Sequence, residues 1–493
     1  EGYSAGGGVL GLRSYEELLG GFGQAIAFRA RRQLARELVR DNAAAIVIDG
    51  ASYPLYDMAM SGVSFLAQAE APRWEVDDVL HVDIRVHATS AFRGHARVAR
   101  EERIYGRRRV GLQLLGGFLD LHEMQRLDEE EALARDLVRG PEEVFSRVPQ
   151  AYRDALAQAV HFAAFYQRSL AYHDARLADE DQRDARDELV RRAIEAIRPR
   201  WHELRLAAAH ACLPILGDRK AMSAAKAMTE TLLTPMLLAA PVLQRAYSKP
   251  LGYPGDFLVM MHIYKDSFEG ATSFGKVFHK LACEEPLSAG VRTRKDLVKE
   301  LTRSEYGRRR AAGEPLRVMS LGCGPAREVV ELLAEEPEPP REIHWTLIDQ
   351  EEKALSVAYH DVIRGIAARG AACSAQCLYL SFEQLVRDPM AIRGEPQDLI
   401  YCVGLFDYLS ERRAQALVSA LRERLRPGGL LAVGNARAPN DHFWLGEFVL
   451  DWSLIYRDEA ALRRFALGVD PSALEVRHEP SRAYDFLLLR EPA

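Results

Sequence analysis

The stretch Arg317–Leu333, RVMSLGCGPAREVVELL, decides the fold of this chain, and LIDQ at Leu347–Gln350 completes its pattern. An apolar strand, a glycine turn, a helix and a second strand ending in an acid follow one another here. This order predicts one βαβ unit that binds a nucleotide, with Asp349 placed to accept hydrogen bonds from ribose hydroxyls. We therefore expect an α/β domain with its site at the carboxyl ends of the strands.

The residues of the turn distinguish two classes of cofactor. The dinucleotide pattern G-x-G-x-x-G/A needs a small third residue, so that the helix packs close to the strand, and Arg327 stands at that position. In the pattern G-x-G-x-small, the same turn supplies Gly322, Gly324 and Ala326. This pattern resembles motif I of the class I S-adenosylmethionine (SAM) methyltransferases.

The resemblance implies further cofactor contacts, with the adenine lying after the third strand of the domain. The alternative is a glycine turn in an unrelated α/β domain, but the order of turn, acid and the later Pro427–Gly429 favours SAM. The predicted cofactor-binding residues are Ser320, Gly322, Gly324, Ala326, Asp349, Gln350, Ser381, Phe382 and Gly404.

Composition excludes several classes of function. The 493 residues carry a net charge of −6, so nothing global points to nucleic acid or an anionic membrane. The six cysteines are scattered, and no metal site is predicted for Cys373 and Cys377. No apolar run is long enough for a membrane helix, and no basic segment typical of a signal peptide opens the sequence. A cytoplasmic location is the default expectation.

Three regions differ in texture along the chain. Residues 1–120 show short runs with near-alternating polarity, which predict a small antiparallel barrel or sandwich. Residues 121–247 have helical spacing, with helices expected over Pro141–Arg176, Asp181–Leu216 and Lys220–Tyr247. Residues 248–493 form the predicted methyltransferase domain. Its core, from about 316, alternates strands and helices in a Rossmann-like α/β fold with a seven-stranded mixed sheet.

The segments around the expected methyl-transfer side resemble a narrower family. They include KPLGYPGDF (Lys249–Phe257), DLIYCVGLFDYL (Asp398–Leu409) and FVLDWSLIYR (Phe448–Arg457). They are similar to bacterial methyltransferases of extracellular-factor 3-hydroxypalmitic acid methyl ester biosynthesis. The resemblance covers about the last half of the chain. It implies an enzyme, a carboxyl O-methyltransferase, that forms methyl esters of fatty or 3-hydroxy fatty acids and serves signalling.

A carboxylic acid acceptor suits simple chemistry. A carboxylate is ionised at neutral pH, needs no general base, and requires only alignment with the sulfonium. We predict that Tyr253 and Arg457 orient it, whereas Asp407 or Asp451 becomes the candidate base if the acceptor is a hydroxyl or an amine. The predicted substrate-binding residues are Lys249, Phe406, Tyr408, Trp444, Trp452 and Tyr456.

Two alternatives stay open. One keeps SAM but changes the acceptor to another small-molecule acid or hydroxyl. The other is a regulator that uses the methyltransferase fold as a binding module. A nucleic-acid substrate is not expected, because the fourth strand ends in DYL rather than an amine-gripping N/D-P-P-Y/F motif.

The first region carries a motif pair of its own. Arg32 and Arg36 are spaced RxxxR, and Asp57 and Gly62 frame a second motif. This pair resembles the PilZ domains, which implies binding of cyclic di-GMP through arginines that clamp phosphates and stack on guanines. Ala59 replaces the serine of the second motif, so one hydroxyl is missing.

Overall fold

A computed structural model describes residues 33–39, 43–59, 62–67, 71–104, 107–115, 117, 119–121, 123–131, 134, 145–177, 182–251, 253–388, 392 and 394–492. The chain divides into two compact units, one within residues 21–146 and the other containing 147–493. Among the described helices, none is both long and apolar enough to cross a membrane.

The first unit is an antiparallel barrel. Its strands pair in the order β1-β3-β2-β5-β6-β7-β4, and a further pairing of β3 with β4 closes six of them into a ring. Alternate residues of β2 are buried, as expected for strands with one face on a core. The strands are β1 Gln33–Leu34, β2 Ala44–Ile48, β3 Ala51–Ala59, β4 Gly62–Ala67, β5 Val79–Val86, β6 Thr89–Ile104 and β7 Arg107–Leu115, and helix α1 is Ala35–Leu38.

The second unit opens with helices, as the spacing predicts. They are α2 Gln150–Arg176, α3 Arg183–Cys212, α4 Arg219–Leu232, α5 Thr234–Leu237, α6 Pro241–Ser248, α7 Phe257–Lys265, α8 Ser273–Cys283 and α9 Pro286–Ala311. The single helix expected over Lys220–Tyr247 is divided into three. Pro235 and Pro241 each lie in the first turn of a new helix, where the missing amide hydrogen costs nothing.

A seven-stranded mixed sheet follows. Its order is β10-β9-β8-β11-β12-β14-β13. The first five of these strands are parallel, β14 is antiparallel to β12, and β13 is antiparallel to β14. The strands are β8 Leu316–Leu321, β9 Arg341–Asp349, β10 Ala372–Tyr379, β11 Gln397–Cys402, β12 Leu425–Ala436, β13 Leu474–His478 and β14 Tyr484–Arg490. The helices between them are α10 Arg327–Glu335, α11 Glu352–Arg369, α12 Phe382–Arg387, α13 Glu411–Arg422 and α14 Glu459–Arg463.

The sheet order identifies the fold and locates its crevice. The sheet of the class I methyltransferases has five parallel strands followed by an antiparallel strand, which lies between the fifth strand and the edge strand. The predicted fold class of barrel, helical middle region and mixed sheet is therefore confirmed. The chain order reverses between β8 and β11, and ligands of open α/β sheets bind beyond the carboxyl ends of strands at such a point.

Candidate active site

The turn after β8 leaves space for a ligand. Gly322, Gly324 and Ala326 have φ values of 66°, 52° and 46°, a left-handed conformation that glycine adopts without strain. A Cβ built on either glycine would meet nothing within 4 Å. The glycines are therefore required by backbone conformation, and the space above the turn is open.

Asp349, at the end of β9, is bound to this turn. Its carboxylate accepts the amide hydrogen of Gly324 at 2.8 Å and that of Glu351 at 2.9 Å. Burial raises the pKa of Asp349 to about 6, although the backbone hydrogen bonds oppose the rise. The backbone amide of Gln350 also hydrogen-bonds this carboxylate. A carboxylate has about four lone-pair sites, so one remains for a ribose hydroxyl.

Ser320 supports the turn from below. It lies on β8 with 1% exposure and hydrogen-bonds Tyr401, whose hydroxyl donates to Glu328 Oε1 at 2.7 Å. Burial raises the pKa of Glu328. The predicted cofactor contact of Ser320 stays a prediction, and its observed contacts are with the buried polar group beneath the turn.

The expected adenine side lies at the start of α12. Ser381 caps this helix in a reciprocal capping box with Gln384. Phe382 is half-buried against the core of the sheet, and Gln350 is exposed beside Asp349. Since the polar groups of Ser381 serve the cap, Phe382 offers the apolar surface at this end.

The loop between α6 and α7 joins the two sides of the crevice. Tyr253 is half-buried; burial raises the pKa of its hydroxyl, and the charges of Asp349 and Glu351 add to the rise. Lys249 donates to the carboxylate of Asp451 at 2.7 Å. The loop therefore brings Tyr253 near Asp349, and it connects Lys249 to the segment after β12.

Aromatic residues line the other end of this loop. A Cβ at Gly255 would lie 2.7 Å from the indole of Trp452 and 3.0 Å from the hydroxyl of Tyr408. The indole nitrogen of Trp452 donates to that hydroxyl at 2.9 Å. Tyr408 and Ile455 are 40% and 41% exposed, and the amide of Ile455 donates to Asp407 O, so they form an exposed apolar surface here.

Asp407 and Arg457 lie behind this surface. Asp407 accepts the amide hydrogen of Ala436 at 2.6 Å, and burial raises its pKa to about 6. Arg457 donates to Phe406 O at 2.9 Å and to Asn435 Oδ1 at 2.6 Å. It also donates to the carbonyl of Leu409. These bonds hold the wall of the crevice together, and they occupy the guanidinium that was predicted to orient the substrate.

Two predicted substrate contacts lie in apolar cores. Phe406 is fully buried and packs on Phe465, with ring centroids 5.6 Å apart. Trp444 is fully buried, and its indole donates to the hydroxyl of Tyr152 on α2 at 2.8 Å. Neither side chain is exposed to a ligand in this structure, so a role for them as acyl-channel walls stays a prediction without a supporting contact.

A further group of residues, absent from the sequence-based predictions, lies at the end of β11. Arg294 of α9 has 6% exposure, and its Nη2 is 3.4 Å from where a Cβ of Gly404 would stand. Its guanidinium stacks on Tyr484 at 4.7 Å, and Tyr264 and Tyr408 lie near it. A sequence signal existed: Arg294 falls on the buried face of α9 between Val291 and Leu297.

Tyr456, the remaining predicted substrate contact, belongs to the same surroundings. It is half-buried, burial raises the pKa of its hydroxyl, and the charges of Glu447 and Asp407 add to this effect. The crevice beyond β11 and β12 is thus rich in tyrosine, and the guanidinium of Arg294 is buried among these residues.

A second cluster of polar side chains lies among α6, α7 and α8. His262, Glu269 and His279 bring three potential metal ligands within 4.8 Å of one another. However, Nδ1 of the fully buried His279 accepts the amide hydrogen of Val242 in the first turn of α6. This bond places the ring proton on Nε2, and a protonated nitrogen is not a metal ligand. We therefore assign His279 to capping α6.

In the barrel, Asp57 is engaged internally. Its carboxylate accepts from Ser64 Oγ at 2.7 Å and forms a buried ion pair with Arg109. Gly62 pairs with Ala59 where β3 meets β4. Arg32 and the side chain of Arg36 lie outside the described residues, so the predicted phosphate clamp stays a prediction.

Comparisons with known proteins show only weak similarities. No family model matches the chain, and no curated protein sequence matches it. A protein of Bordetella parapertussis described as a possible exported protein is similar over 51% of this chain and 95% of its own, at 17% identity and a TM-score of 0.36. Magnesium protoporphyrin IX methyltransferase (ChlM) of Synechocystis, solved with S-adenosylhomocysteine (SAH), is similar over 51% of this chain and 99% of its own, at 16% identity and a TM-score of 0.32.

The N-methyltransferase NodS of Bradyrhizobium japonicum, also solved with SAH, is similar over 43% of this chain and 90% of its own, at 15% identity and a TM-score of 0.28. Likenesses at this level carry no argument about the substrate. The function proposed for this chain therefore rests on the sheet order and on the contacts of the glycine turn.

Proposed function

We propose that the chain is a SAM-dependent methyltransferase. The observation that carries this is the hydrogen bond from Gly324 to Asp349, because it joins an open glycine turn to a buried acid at the end of the neighbouring strand. The residues fit SAM: Gly322 and Gly324 offer an unobstructed backbone, and Asp349 retains a lone pair for a ribose hydroxyl. When bound, SAM supplies a methyl group activated by the adjacent sulfonium.

We further propose that the acceptor is a carboxylic acid, most specifically a fatty or 3-hydroxy fatty acid. The family resemblance supports this, and so does the surface of Tyr408, Trp452 and Ile455, which suits an apolar chain. The carboxylate oxygen forms a bond to the methyl carbon as the bond from that carbon to sulfur breaks, and the electron pair stays on sulfur. No proton moves, so the protein has to align the two charges and exclude water.

The side chains then divide the work. Tyr253 contacts the reacting end from the cofactor side, and its hydroxyl stays protonated because burial raises its pKa. Lys249 holds the loop through Asp451, which keeps Tyr253 over the crevice. Arg457 serves the crevice by fixing the backbone of Phe406 rather than by binding the substrate.

A hydroxyl acceptor is the second candidate, and one observation favours it. Asp407 is a buried carboxylate with a pKa raised to about 6, which suits a general base at neutral pH. Asp407→Asn separates the two cases, since the amide oxygen of the new side chain can still accept from Ala436. Ester formation should persist in this variant, whereas ether formation should be lost.

For the barrel we propose cyclic di-GMP binding through Arg32 and Arg36, as the motif resemblance implies. The Asp57–Arg109 ion pair joins β3 to β7 at the second motif. Calorimetric titration with the dinucleotide tests this, with Arg32→Ala as the control. If the intact chain gives no heat signal, the barrel has no such role.

One experiment tests the catalytic proposal. The purified chain is incubated with methyl-labelled SAM and with fatty acids, 3-hydroxy fatty acids and the matching fatty alcohols, and products are identified by mass spectrometry. Labelled methyl esters from the acids alone are expected. Labelled ethers from the alcohols would move the proposal to the hydroxyl acceptor, and no labelled product with bound SAM would refute both.

A further inference from the structure

Arg294 is a buried cation at the methyl-transfer side of the sheet. It projects from α9 to the carboxyl end of β11, where its Nη2 lies 3.4 Å from a Cβ position at Gly404. The guanidinium carbon lies 4.7 Å from the ring centroid of Tyr484. Only 6% of the residue is exposed, so water cannot solvate the charge as it would at the surface.

The guanidinium lacks the partners that such a charge requires. Within the described part of the chain it forms no ion pair, its Nε has no hydrogen-bond partner, and Nη2 reaches only the sulfur of Met260 at 3.7 Å. The charge of Asp407 acts on it from a distance, but that carboxylate accepts its hydrogen bond from Ala436. Arg457, equally exposed at 6%, has three oxygen acceptors.

An uncompensated buried charge destabilises the folded protein. Such a group is expected where a ligand supplies the missing charge. A guanidinium fits a carboxylate best, because two parallel N–H groups meet its two oxygens. We infer that Arg294 binds a ligand carboxylate in the methyl-transfer site.

This inference rests on the proposed function, which offers two sources for the carboxylate. One is the acceptor acid, and the other is the amino-acid end of SAM itself. Both would lie near Gly404 at the end of β11. A guanidinium would bind either carboxylate in the same way. Measurements with three ligands, which are SAH, 5′-methylthioadenosine and the acid, distinguish the two sources.

The experiment uses the full chain with Arg294→Met. We would measure the Kd of SAH, the Kd of 5′-methylthioadenosine, which lacks the amino-acid end, and the KM of the acid. A loss of roughly 10- to 100-fold in SAH affinity, with methylthioadenosine unchanged, assigns Arg294 to the cofactor carboxylate. A similar rise in KM, with both nucleoside affinities unchanged, assigns it to the acceptor.

Arg457→Met is the matched control, because it removes an equally buried guanidinium whose acceptors are then left unpaired. It should lower the melting temperature, whereas Arg294→Met should leave it unchanged or raise it. If Arg294→Met does not fold, Arg294→Lys is used instead. It keeps the charge but lacks the two parallel N–H groups, so it should show the same selective loss of affinity.

The proposed function and the inference about Arg294 are refuted by different results. A wild-type chain that binds no SAH refutes the proposed function. A wild-type chain that binds SAH and forms ester, with folded Arg294 variants equal to it in all three measurements, overturns only the inference about Arg294.

Discussion

Asp349→Asn separates binding of the cofactor from stability of the fold. The pKa of Asp349 rises from 3.8 to about 6, so keeping it ionised at pH 7 costs the unliganded protein about 3 kcal/mol. The neutral side chain of the variant would remove this cost. Its amide group would face one of the amide hydrogens of Gly324 and Glu351, which costs about 1–3 kcal/mol. The free energy of unfolding should therefore change by less than about 2 kcal/mol.

The Asp349→Asn substitution should change the affinity for SAH much more than it changes the free energy of unfolding. Loss of a charged acceptor for the ribose hydroxyls should weaken SAH by roughly 10- to 100-fold. In the wild type, SAH affinity should also fall as the pH drops below about 6, because protonation of Asp349 neutralises the acceptor. Asp349→Asn should show no such decline.

Isothermal titration with SAH between pH 5 and pH 8, alongside thermal melting, makes both measurements. Glu352→Gln is the matched control, since it removes an exposed carboxylate from the start of α11 nearby. If Asp349→Asn binds SAH as tightly as the wild type, Asp349 only stabilises the turn, and the assignment of the ribose site is refuted.

Three further predictions test other parts of the site. Gly255→Ala should raise the KM of the acid several-fold, because the new methyl displaces the indole of Trp452, whereas SAH binding should hold; equal KM values would place the acyl chain elsewhere. Trp444→Phe should lower the free energy of unfolding by about 1–3 kcal/mol through its lost buried hydrogen bond, and a selective rise in KM instead would restore its predicted channel role. The pKa of His279 is lowered by burial to about 4, so wild-type stability should fall as the pH drops from 6.5 towards 4. His279→Phe should lack that component in denaturant titrations, and an unchanged decline in this variant would show that His279 does not cause it.

Local patterns were sufficient for much of the fold. The glycine turn, the acid at Asp349 and the alternation of strands and helices each depend on residues close in sequence, and all appear in the structure as predicted. Proline positions explain where the predicted middle helix divides. These features are readable because backbone conformation responds mainly to neighbouring residues.

The partners of charged side chains could not be predicted from the sequence in the same way. Arg294 and Arg457 are equally buried, yet one lacks a partner within the described chain and the other binds three oxygens. Trp444 was expected at a substrate wall and lies against α2 instead. In each case the deciding contact joins residues far apart in the chain.

The sequence by itself therefore determined the β-barrel, the helices, the mixed sheet and the turn that a nucleotide cofactor would approach, because periodicity and glycine placement act locally. Only the tertiary structure decided which buried charge remains available to a ligand. That property depends on whether distant segments bring an acceptor to the guanidinium. For Arg457 they do, and for Arg294 they bring tyrosine rings and a methionine sulfur.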